Sequence, residues 1–548
     1  MPQDSPQSDP AVPSDGKEGK DGVDGLNQAE AGASGGDSEA SYPGRGAMAV
    51  TMIAISMGVF LVSLDRTIVS TAAPTITDQF HSPTDIGWYA SAYTLTGSAL
   101  QLPLGRFYKF YSPKRVYMTL VFIFMVGSAI GAGAMNSNTV IVGRAVQGIG
   151  LGGVLSGSMI LVAQNAPLAR QPMFMGILMA TMSISSIVGP LIGGALTTNT
   201  SWRWCFLINI PIGAVIIAVL FFFAGAKESK EQVSQSWKAK VQRLDPLGAA
   251  FLLPAVVCII LALQWAGSEY SWSNWRIILL LVLGGLLAIA FVASQILMPE
   301  TATVPPHVAR QRTVFASFLF SLMTGGSMLI VTYWLADWFQ AIQNVSAVEA
   351  GIRTIALVLS QAVGAIGGGA SSRLIGYPPA IMMLSATFIS VGNGLLSTLE
   401  VDTGSGKWIG YQVLLGLGFG LGTQQASLAV QTVLKPEDVP TAISIVFFGL
   451  QLGGSIFICV GQNVFNQLFQ KLLRQAAIPG LDLDLVLKTG ATEIRRLVPD
   501  GADLQKLLTA YNTSVTSTFY VAAATGVAAF LSALFVQWKS VKNVDPVH

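Results

Sequence analysis

The stretch VGRAVQGIGLGG combines a pattern of glycines with a single arginine. Gly148, Gly150 and Gly153 spell G-x-G-x-x-G, the fingerprint of a turn that binds the pyrophosphate of a dinucleotide. That turn needs a preceding strand and an acidic residue about 20 positions later for the ribose hydroxyl. Here the glycines lie inside an apolar run, and no Asp or Glu occurs between Ile86 and Lys227. The context excludes a dinucleotide site and favours glycines that let two membrane helices pack closely.

Arg144 in the same stretch places a positive charge inside a run long enough to cross a membrane. Such a charge is costly unless it faces water or a partner. In the first half of the chain only Asp65 offers a carboxylate within an apolar run. With a rise of about 1.5 Å per residue, both residues lie roughly 7 Å below the outer surface. The pair predicts a functional charge site that faces a cavity. The alternatives are that either side chain extends to the interface, or that adjacent Arg66 neutralises Asp65.

Composition identifies the elements that must position this pair. The chain of 548 residues is 52% hydrophobic and 11% charged, with a mean hydropathy of +0.57, whereas a soluble domain carries about twice that charged fraction. Apolar runs of about 20 residues, long enough to cross a hydrocarbon core, recur along it. We therefore predict an all-α polytopic membrane protein with about fourteen spans. These spans are 48–70, 86–108, 116–135, 139–162, 173–196, 205–225, 246–266, 277–297, 313–336, 351–371, 379–399, 408–432, 441–468 and 515–537.

Charge and cysteine content argue against other classes of protein. The net charge is +2 and no dense Lys/Arg tract occurs, so no nucleic acid partner is expected. Cys205, Cys258 and Cys459 lie in apolar runs without a C-x-x-C pair or a nearby His, which favours small core residues. No metal or other cofactor is expected.

Basic residues concentrate in the loops that are cytoplasmic if the N-terminus is cytoplasmic. They are Arg106, Lys109, Lys114, Arg115, Arg170, Lys227, Lys230, Lys238, Lys240, Arg243, Arg310, Arg312, Arg373, Lys435, Lys539 and Lys542. The positive-inside rule therefore places both termini in the cytoplasm. The N-x-S/T sequons at Asn199, Asn344 and Asn512 all fall in loops on the opposite side. Asn512, beside the only long external loop (469–514), is the favoured glycosylation site.

Several motifs resemble the major facilitator superfamily, in particular its fourteen-span drug:proton antiporters. LDRTIVSTAAPTI is similar to the motif of the first span, and GRAVQGIGLGG to the motif of the fourth span. GPLIGG resembles the antiporter signature of span 5, and WRWCFLINIPIG is a further family motif. The resemblance covers about residues 48–538. It implies that Asp65 and Arg144 take part in proton transfer.

The signature of span 5 predicts a closely packed, bent helix. Its residues here are Gly176, Ser185, Gly189, Pro190, Gly193 and Gly194. Ser185 stands where the family usually has glycine. Ser185, Gly189 and Gly193 form a small-residue stripe at i, i+4 and i+8, and Pro190 removes a backbone donor. Such a face suits a moving helix contact, with ordinary packing as the alternative.

The loop after span 2 departs from the family pattern, which is roughly G-x-L-x-D-x-x-G-R-K. This chain reads GRFYKFYSPK, with Lys109 at the position of the family's Asp and with Ser112 and Pro113 in place of Gly-Arg. The charge relay that this loop supports elsewhere in the superfamily is therefore in question here. Fungal members of the family, including mycotoxin and secondary-metabolite exporters, are similar in this loop.

The resemblance implies two six-helix bundles with two helices inserted between them. The expected segments are a disordered cytoplasmic tail at 1–45, an N-terminal bundle at 46–225, a linker with the inserted helices at 226–300, a C-terminal bundle at 301–538 and a cytoplasmic tail at 539–548. The first tail is rich in Ser, Gly, Asp, Glu and Pro and has too few apolar residues to form a core. Substrate is expected to bind between the bundles, near the membrane midplane.

Neutral polar residues in the C-terminal spans are candidates for the substrate cavity. They are Gln361, Asn393, Gln424, Ser427, Gln431 and Gln451. A cavity of amides and apolar groups suits a neutral or amphiphilic ligand, while hydrogen bonds between helices are an equal alternative. Tyr333, Trp334 and Trp338 are interpreted as an interfacial aromatic belt, and Asp337 as an outer-surface charge.

We therefore expect a proton-coupled efflux transporter for a small organic compound, such as a fungal toxin, another secondary metabolite or a drug. Its expected partners are the substrate, protons and the lipid bilayer. It is expected to act as a monomer in the plasma membrane, or in a vacuolar or vesicle membrane. A proton-coupled importer of a nutrient or iron-chelate is the alternative within the same fold, and a sensor that moves no solute is less favoured. An enzyme is not expected, because the spans hold no His cluster or carboxylate pair.

Overall fold

The computed structural model describes residues 45–82, 85–166, 170–223, 244–266, 270–476 and 501–541, with the single residues 478, 495 and 498. This part of the chain forms eighteen α-helices. They are α1 (Arg45–Phe80), α2 (Ile86–Phe110), α3 (Pro113–Ala132), α4 (Ser137–Asn165), α5 (Gln171–Asn199), α6 (Trp204–Leu207), α7 (Asn209–Phe223), α8 (Pro246–Trp265), α9 (Trp275–Leu297), α10 (Pro306–Ala309), α11 (Arg312–Ile342), α12 (Ala347–Arg353), α13 (Ile355–Ile375), α14 (Pro378–Leu396), α15 (Ser405–Gly422), α16 (Gln425–Gln431), α17 (Val439–Ala476) and α18 (Ala502–Leu534).

The predicted class, an all-α polytopic membrane protein, is confirmed. Thirteen helical segments of the described residues are long and apolar enough to cross a membrane. The helix α2 is not among them, although its 25 residues are sufficient in length. Its Tyr, Thr, Ser and Gln residues lower its hydropathy, which is how a helix surrounded by protein differs from one in lipid.

Local signals place several helix ends. Pro113, Pro246 and Pro378 stand in the first turn of α3, α8 and α14, where a missing backbone N–H is not needed. The Asn136 side chain accepts a hydrogen bond of 2.9 Å from the Thr139 backbone N–H and caps α4. Gly376 ends α13 with a φ of 82°, in the left-handed region that favours glycine.

The two last predicted spans, 441–468 and 515–537, belong to helices that extend into the predicted loop between them. The external loop predicted at 469–514 is shorter, because α17 continues to Ala476 and α18 begins at Ala502. The extended ends pack against each other through Phe469, Leu473 and Leu507, which belong to one hydrophobic cluster. The remaining predictions for this loop, for the tail at 1–44, for the linker at 224–243 and for the end of the chain from residue 542 lie outside the described residues.

We name the two ends of the protein after the orientation that the basic loops predict. We call the end where α2 finishes, at Phe110, the inner end, and the end where α1 finishes, at Phe80, the outer end. The helices α8 and α9 pack against each other, and α8 also contacts α2 and α17. At the outer end Trp88 of α2 makes an edge contact with Trp265 of α8 at 6.4 Å between ring centroids.

The N-terminal helices meet the C-terminal helices at the inner end. The Lys109 Nζ of α2 lies 2.6 Å from the Asp438 Oδ1 that precedes α17. A Cβ at Gly105 would lie 2.3 Å from the Ser444 Oγ, so α2 and α17 approach closely there. The inner part of α5 similarly lies against α13, with Gly176 beside Ala365. These contacts close the inner end.

Candidate functional site

Asp65 lies at the centre of a buried polar network between α1, α4 and α7. It is 0% exposed and pairs with the Arg144 guanidinium, which is 1% exposed. Arg144 Nη1 donates to the Asp65 Oδ2. The Gln147 Nε2 and the Asn209 Nδ2 donate to the Asp65 Oδ1 at 2.8 Å and 2.7 Å. Ser128 of α3 accepts from both amides, at 2.8 Å and 3.2 Å. The two charges predicted from sequence are therefore in direct contact, and Asp65 is paired with Arg144 rather than with Arg66.

Arg144 is held by α2 as well as by Asp65. Its Nε donates to the Tyr89 carbonyl oxygen at 2.8 Å, and its guanidinium lies 4.1 Å from the Tyr93 ring centroid. The Tyr93 hydroxyl donates to the Val62 carbonyl oxygen of α1 at 2.9 Å. A guanidinium paired with a carboxylate and stacked on an aromatic ring is well stabilised away from water. The orientation of Arg144 is thus fixed from two helices.

The glycines that suggested a dinucleotide site make this arrangement possible. A Cβ at Gly148 would lie 2.3 Å from the Tyr93 carbonyl oxygen, and one at Gly152 would lie 2.5 Å from the Gly97 carbonyl oxygen. On another face of α4, a Cβ at Gly150 would lie within 3 Å of α3. The helix α4 therefore packs closely on both α2 and α3, as the glycine spacing predicts. This brings the Tyr93 ring within reach of Arg144.

The residues of the predicted span 5 signature lie where α5 packs on α1. A Cβ at Gly189 would lie 1.9 Å from the Thr67 Oγ1, and one at Gly193 would lie 2.8 Å from the Ile68 carbonyl oxygen. The Ser185 Oγ donates to the Thr181 carbonyl oxygen at 2.9 Å. The rest of the signature differs: Gly176 faces α13, Pro190 is exposed inside the helix, and a Cβ at Gly194 would meet nothing within 4 Å.

The polar residues predicted to line a cavity have three kinds of surroundings in this conformation. The Asn393 Nδ2 donates to the Ser327 Oγ at 2.9 Å, and the Gln424 Nε2 to the Ala365 carbonyl oxygen at 3.4 Å. Gln431 donates to Ser427 within its own helix at 2.9 Å, and both side chains are buried. Gln361 and Gln451 are partly exposed. Asn393 and Gln424 thus show the interhelical bonding that the sequence left open, and a role of the six residues in a substrate cavity stays a prediction.

The interpretation of the aromatic residues of α11 as an interfacial belt is wrong for two of the three. Trp334 is 2% exposed and Trp338 is 0% exposed, both in the hydrophobic cluster of the C-terminal helices. Trp334 packs on the Phe465 ring of α17 at 4.6 Å between ring centroids. The Trp338 Nε1 donates to the Asn512 Oδ1 of α18 at 2.7 Å. Tyr333 is exposed. Asp337 is half-buried rather than a free surface charge, and accepts a hydrogen bond of 2.7 Å from the Tyr511 hydroxyl.

Asn512, predicted as the favoured glycosylation site, differs in its surroundings from the other two candidates. Asn512 lies inside α18 and is 8% exposed. Its Nδ2, the atom that would carry a glycan, donates to the Leu399 carbonyl oxygen at 2.8 Å, and its Oδ1 accepts from the Trp338 Nε1 at 2.7 Å. Asn199 and Asn344 are exposed.

Sequence reasoning missed the three polar residues that complete the Asp65 site. Gln147 was within the stretch that drew attention to Arg144 and stands one turn after it, so helical spacing could have indicated it. Asn209 lies in the quoted WRWCFLINIPIG motif, but nothing in its spacing relates it to Asp65. Ser128 carries no signal, because single serines are frequent in membrane helices.

The fold and this site define a polytopic helical membrane protein with a paired charge at its core. A family model of the major facilitator superfamily matches residues 55–458, and the chain belongs to that superfamily. The efflux pump ustT of Ustilaginoidea virens is 72% identical over 519 residues, which cover 95% of this chain and 90% of that protein. The efflux pump roqT of Penicillium rubens is 45% identical over 491 residues, which cover 90% of each.

Solved structures show the same fold at low sequence identity. The crystal structure of the human organic anion transporter MFSD10 superposes with a TM-score of 0.59 at 14% identity, over 89% of this chain and 99% of that chain. A double-tryptophan mutant of XylE gives a TM-score of 0.59 at 11% identity, over 91% and 98%. The major facilitator fold predicted from sequence is thereby confirmed.

Proposed function

We propose that this protein is an efflux transporter that exports a fungal toxin or other secondary metabolite and is driven by a proton gradient. The export direction is supported by relatives that are named efflux pumps and that align with this chain over about nine tenths of its length. The two bundles at 46–225 and 301–538, with the helices of 226–300 inserted, would move around a substrate site between them. We propose that it acts as a monomer in the plasma membrane or in a vesicle membrane.

Proton coupling is supported above all by the Asp65–Arg144 pair. The three donors on Asp65 are N–H groups, which match an ionised carboxylate. A proton on Asp65 would remove the charge that faces Arg144 and would turn one acceptor oxygen into a donor. Because a buried charge needs a partner, the network would have to rearrange. Binding of a proton is thereby linked to a change in how α1, α4 and α7 pack.

The protonated state also has a place for its new donor. The Asn209 Oδ1 is buried and has no hydrogen-bond partner, and it belongs to the amide whose nitrogen contacts Asp65. A half-turn of that amide would offer Oδ1 to a protonated Asp65. The site therefore holds an acceptor for the proton of a protonated Asp65, while the charge of Arg144 still requires the rearrangement described above.

The test is deletion of the gene in its host, followed by profiling of metabolites in cells and medium. We expect one compound to accumulate in the cells and to fall in the medium, and the intact gene to reverse both changes. A deletion strain with an unchanged profile and reduced uptake of a nutrient would instead establish import.

Complementation with variants tests the coupling. Asp65→Asn should fail to restore export, whereas the matched control Glu349→Gln should restore it fully. Glu349 is an exposed carboxylate paired with Arg353 one helix turn away. Its replacement therefore measures the effect of losing a negative charge outside the Asp65 site. Full export by Asp65→Asn, present in the membrane at the normal amount, would refute the proton role of Asp65.

A further inference from the structure

The contacts of α1 determine which of its faces carries Arg66. Asp65 points toward α4 and α7, where it meets Arg144. Thr67 points toward α5, where a Cβ at Gly189 would lie 1.9 Å from its hydroxyl oxygen. Successive helix residues are separated by about 100°. Arg66 therefore lies on the face between these two contacts, which neither α5 nor α7 covers.

This face of α1 is buried toward the inner end and open at Arg66. Val59, two turns before Arg66, is 1% exposed, and Ser63, one turn before it, is 8% exposed. Val59 belongs to one hydrophobic cluster with Ile443 and Phe447 of α17. Arg66 is exposed. The face is thus buried as far as Ser63, and Arg66 lies where that burial ends.

Among the described residues, Arg66 forms no ion pair, since no carboxylate lies within ion-pair distance of it. Its neighbour Asp65 is already bonded to Arg144 and two amides, so the Asp65 charge is balanced by Arg144. A guanidinium does not lose its proton in a protein. Water or an anion must therefore balance the charge of Arg66 inside the span.

We propose that Arg66 is an anion-binding site at the floor of an outward-open cavity, and that the exported compound carries a carboxylate that this guanidinium binds. The inference rests on the proposed export function and adds the charge class of the substrate to it. A guanidinium presents parallel N–H donors that match the two oxygens of a carboxylate.

Binding of two matched probes tests the site on the full-length protein in phosphatidylcholine nanodiscs. The probes are pyrenebutyrate and its methyl ester, which share the fluorescent body and differ in the charge. The natural protein should bind the acid about tenfold more tightly than the ester, as expected for one charge-assisted pair. Arg66→Gln should remove that preference and leave ester binding unchanged. Arg66→Lys should retain part of it, because it keeps the charge and loses the paired donors.

The matched control is Arg276→Gln, which removes an exposed arginine at the start of α9, outside the cavity. This variant should retain the full preference for the acid, which shows that the effect is not one of overall charge. The inference is overturned if the natural protein shows no preference for the acid, including a failure to bind either probe. It is also overturned if monodisperse Arg66→Gln protein keeps the preference.

The metabolite profile separates this inference from the proposed function. If a compound accumulates in the deletion strain and is neutral or cationic, export stands and the anion site is refuted. If no compound accumulates, the export function fails, while the probes still report on Arg66. Accumulation of a carboxylate-bearing compound supports both.

Discussion

A buried carboxylate is tolerated only when its charge is paired and its oxygens are hydrogen-bonded. Asp65 meets both conditions through Arg144, Gln147 and Asn209. Removing one partner of such a pair costs about 3–5 kcal/mol, because the other charge is left buried. Asp65→Asn keeps the shape of the side chain and one acceptor oxygen, which limits this loss. Its amount in the membrane must nevertheless be measured beside its transport.

Asn512 provides a residue-level test of the outer end. Asn512→Gln should lower the thermal midpoint of the purified protein, because two buried hydrogen bonds, to Trp338 and Leu399, are lost at about 1–3 kcal/mol each. Ser514→Ala removes the same sequon but keeps both bonds, and should leave the midpoint nearly unchanged. Neither variant should alter the glycosidase-sensitive mass on a gel. A loss of that mass in Ser514→Ala would show that Asn512 carries a glycan and contradict its burial.

At the scale of residues, the sequence predicts the contacts of charged side chains better than those of neutral polar side chains. Asp65 and Arg144 could be paired from sequence because charges are rare within spans and each must be compensated. Neutral residues give no such constraint: Gln147 and Asn209 belong to the charge site, whereas Asn393 and Gln424 bond between helices. Their roles follow from helix rotation and adjacency, which a single sequence does not specify.

Several helices of this protein pack closely because glycine, which has no Cβ atom, stands at the contact. The α1–α5 contact is an example, since a Cβ at Gly189 would overlap both the Oγ1 and the Cβ of Thr67, at 1.9 Å and 2.7 Å. Rotation of the Thr67 side chain relieves the first overlap but not the second. Any larger residue at Gly189 must therefore move one helix relative to the other.

Gly189→Ala is accordingly expected to destabilise the protein by about 1–3 kcal/mol, as overpacking does. The measurement is the loss of monodisperse protein on heating in detergent. Gly194→Ala, five residues along the same helix, is the matched control because its Cβ would meet nothing within 4 Å. It should be neutral or slightly stabilising. Equal midpoints for the two variants would mean that α5 does not pack on α1 through this stripe.

Helix positions followed well from hydropathy, and helix ends followed less well. The predicted spans fall within observed helices or overlap them closely, because the length of the hydrocarbon core sets a minimum apolar length. The end of α17 was predicted too early and the start of α18 too late. These added turns pack on each other, with the Phe469 and Tyr511 ring centroids 5.2 Å apart. Hydropathy alone treats these segments as exposed to water and does not register their burial against another helix.

At the scale of the whole molecule, the inner end contains a charge pair that the sequence did not predict. Lys109 occupies the position where the family pattern has Asp, which suggested only that the usual relay is changed. In the structure Lys109 pairs instead with Asp438, 329 residues later, and His307 Nε2 lies 3.1 Å from the other Asp438 oxygen. Pairs this distant along the chain have no local pattern.

The Lys109–Asp438 pair should hold the inner end closed. Burial raises the pKa of Asp438, but the bonds from Lys109 and His307 outweigh it and hold that pKa below its usual range. The closed state therefore gains from the ionised carboxylate above the ordinary Asp pKa of about 4 and loses that gain as the pH falls through the lowered pKa. The titration of Asp438 should accordingly leave closure unchanged from about pH 5 to pH 8.

Spin labels at Arg170 and Lys435, exposed at the inner end on opposite sides of this pair, measure the closure as a distance. Lys109→Asp should shift the population toward longer distances by about tenfold in the closed-to-open ratio, because two carboxylates then face each other. The double variant Lys109→Asp with Asp438→Lys restores opposite charges and should restore the short distance. The pH dependence of this distance is measured in a His307→Gln background, so that the imidazole beside Asp438 does not contribute to it. If the double variant stays as open as the single one, the charge pair does not hold the inner end closed.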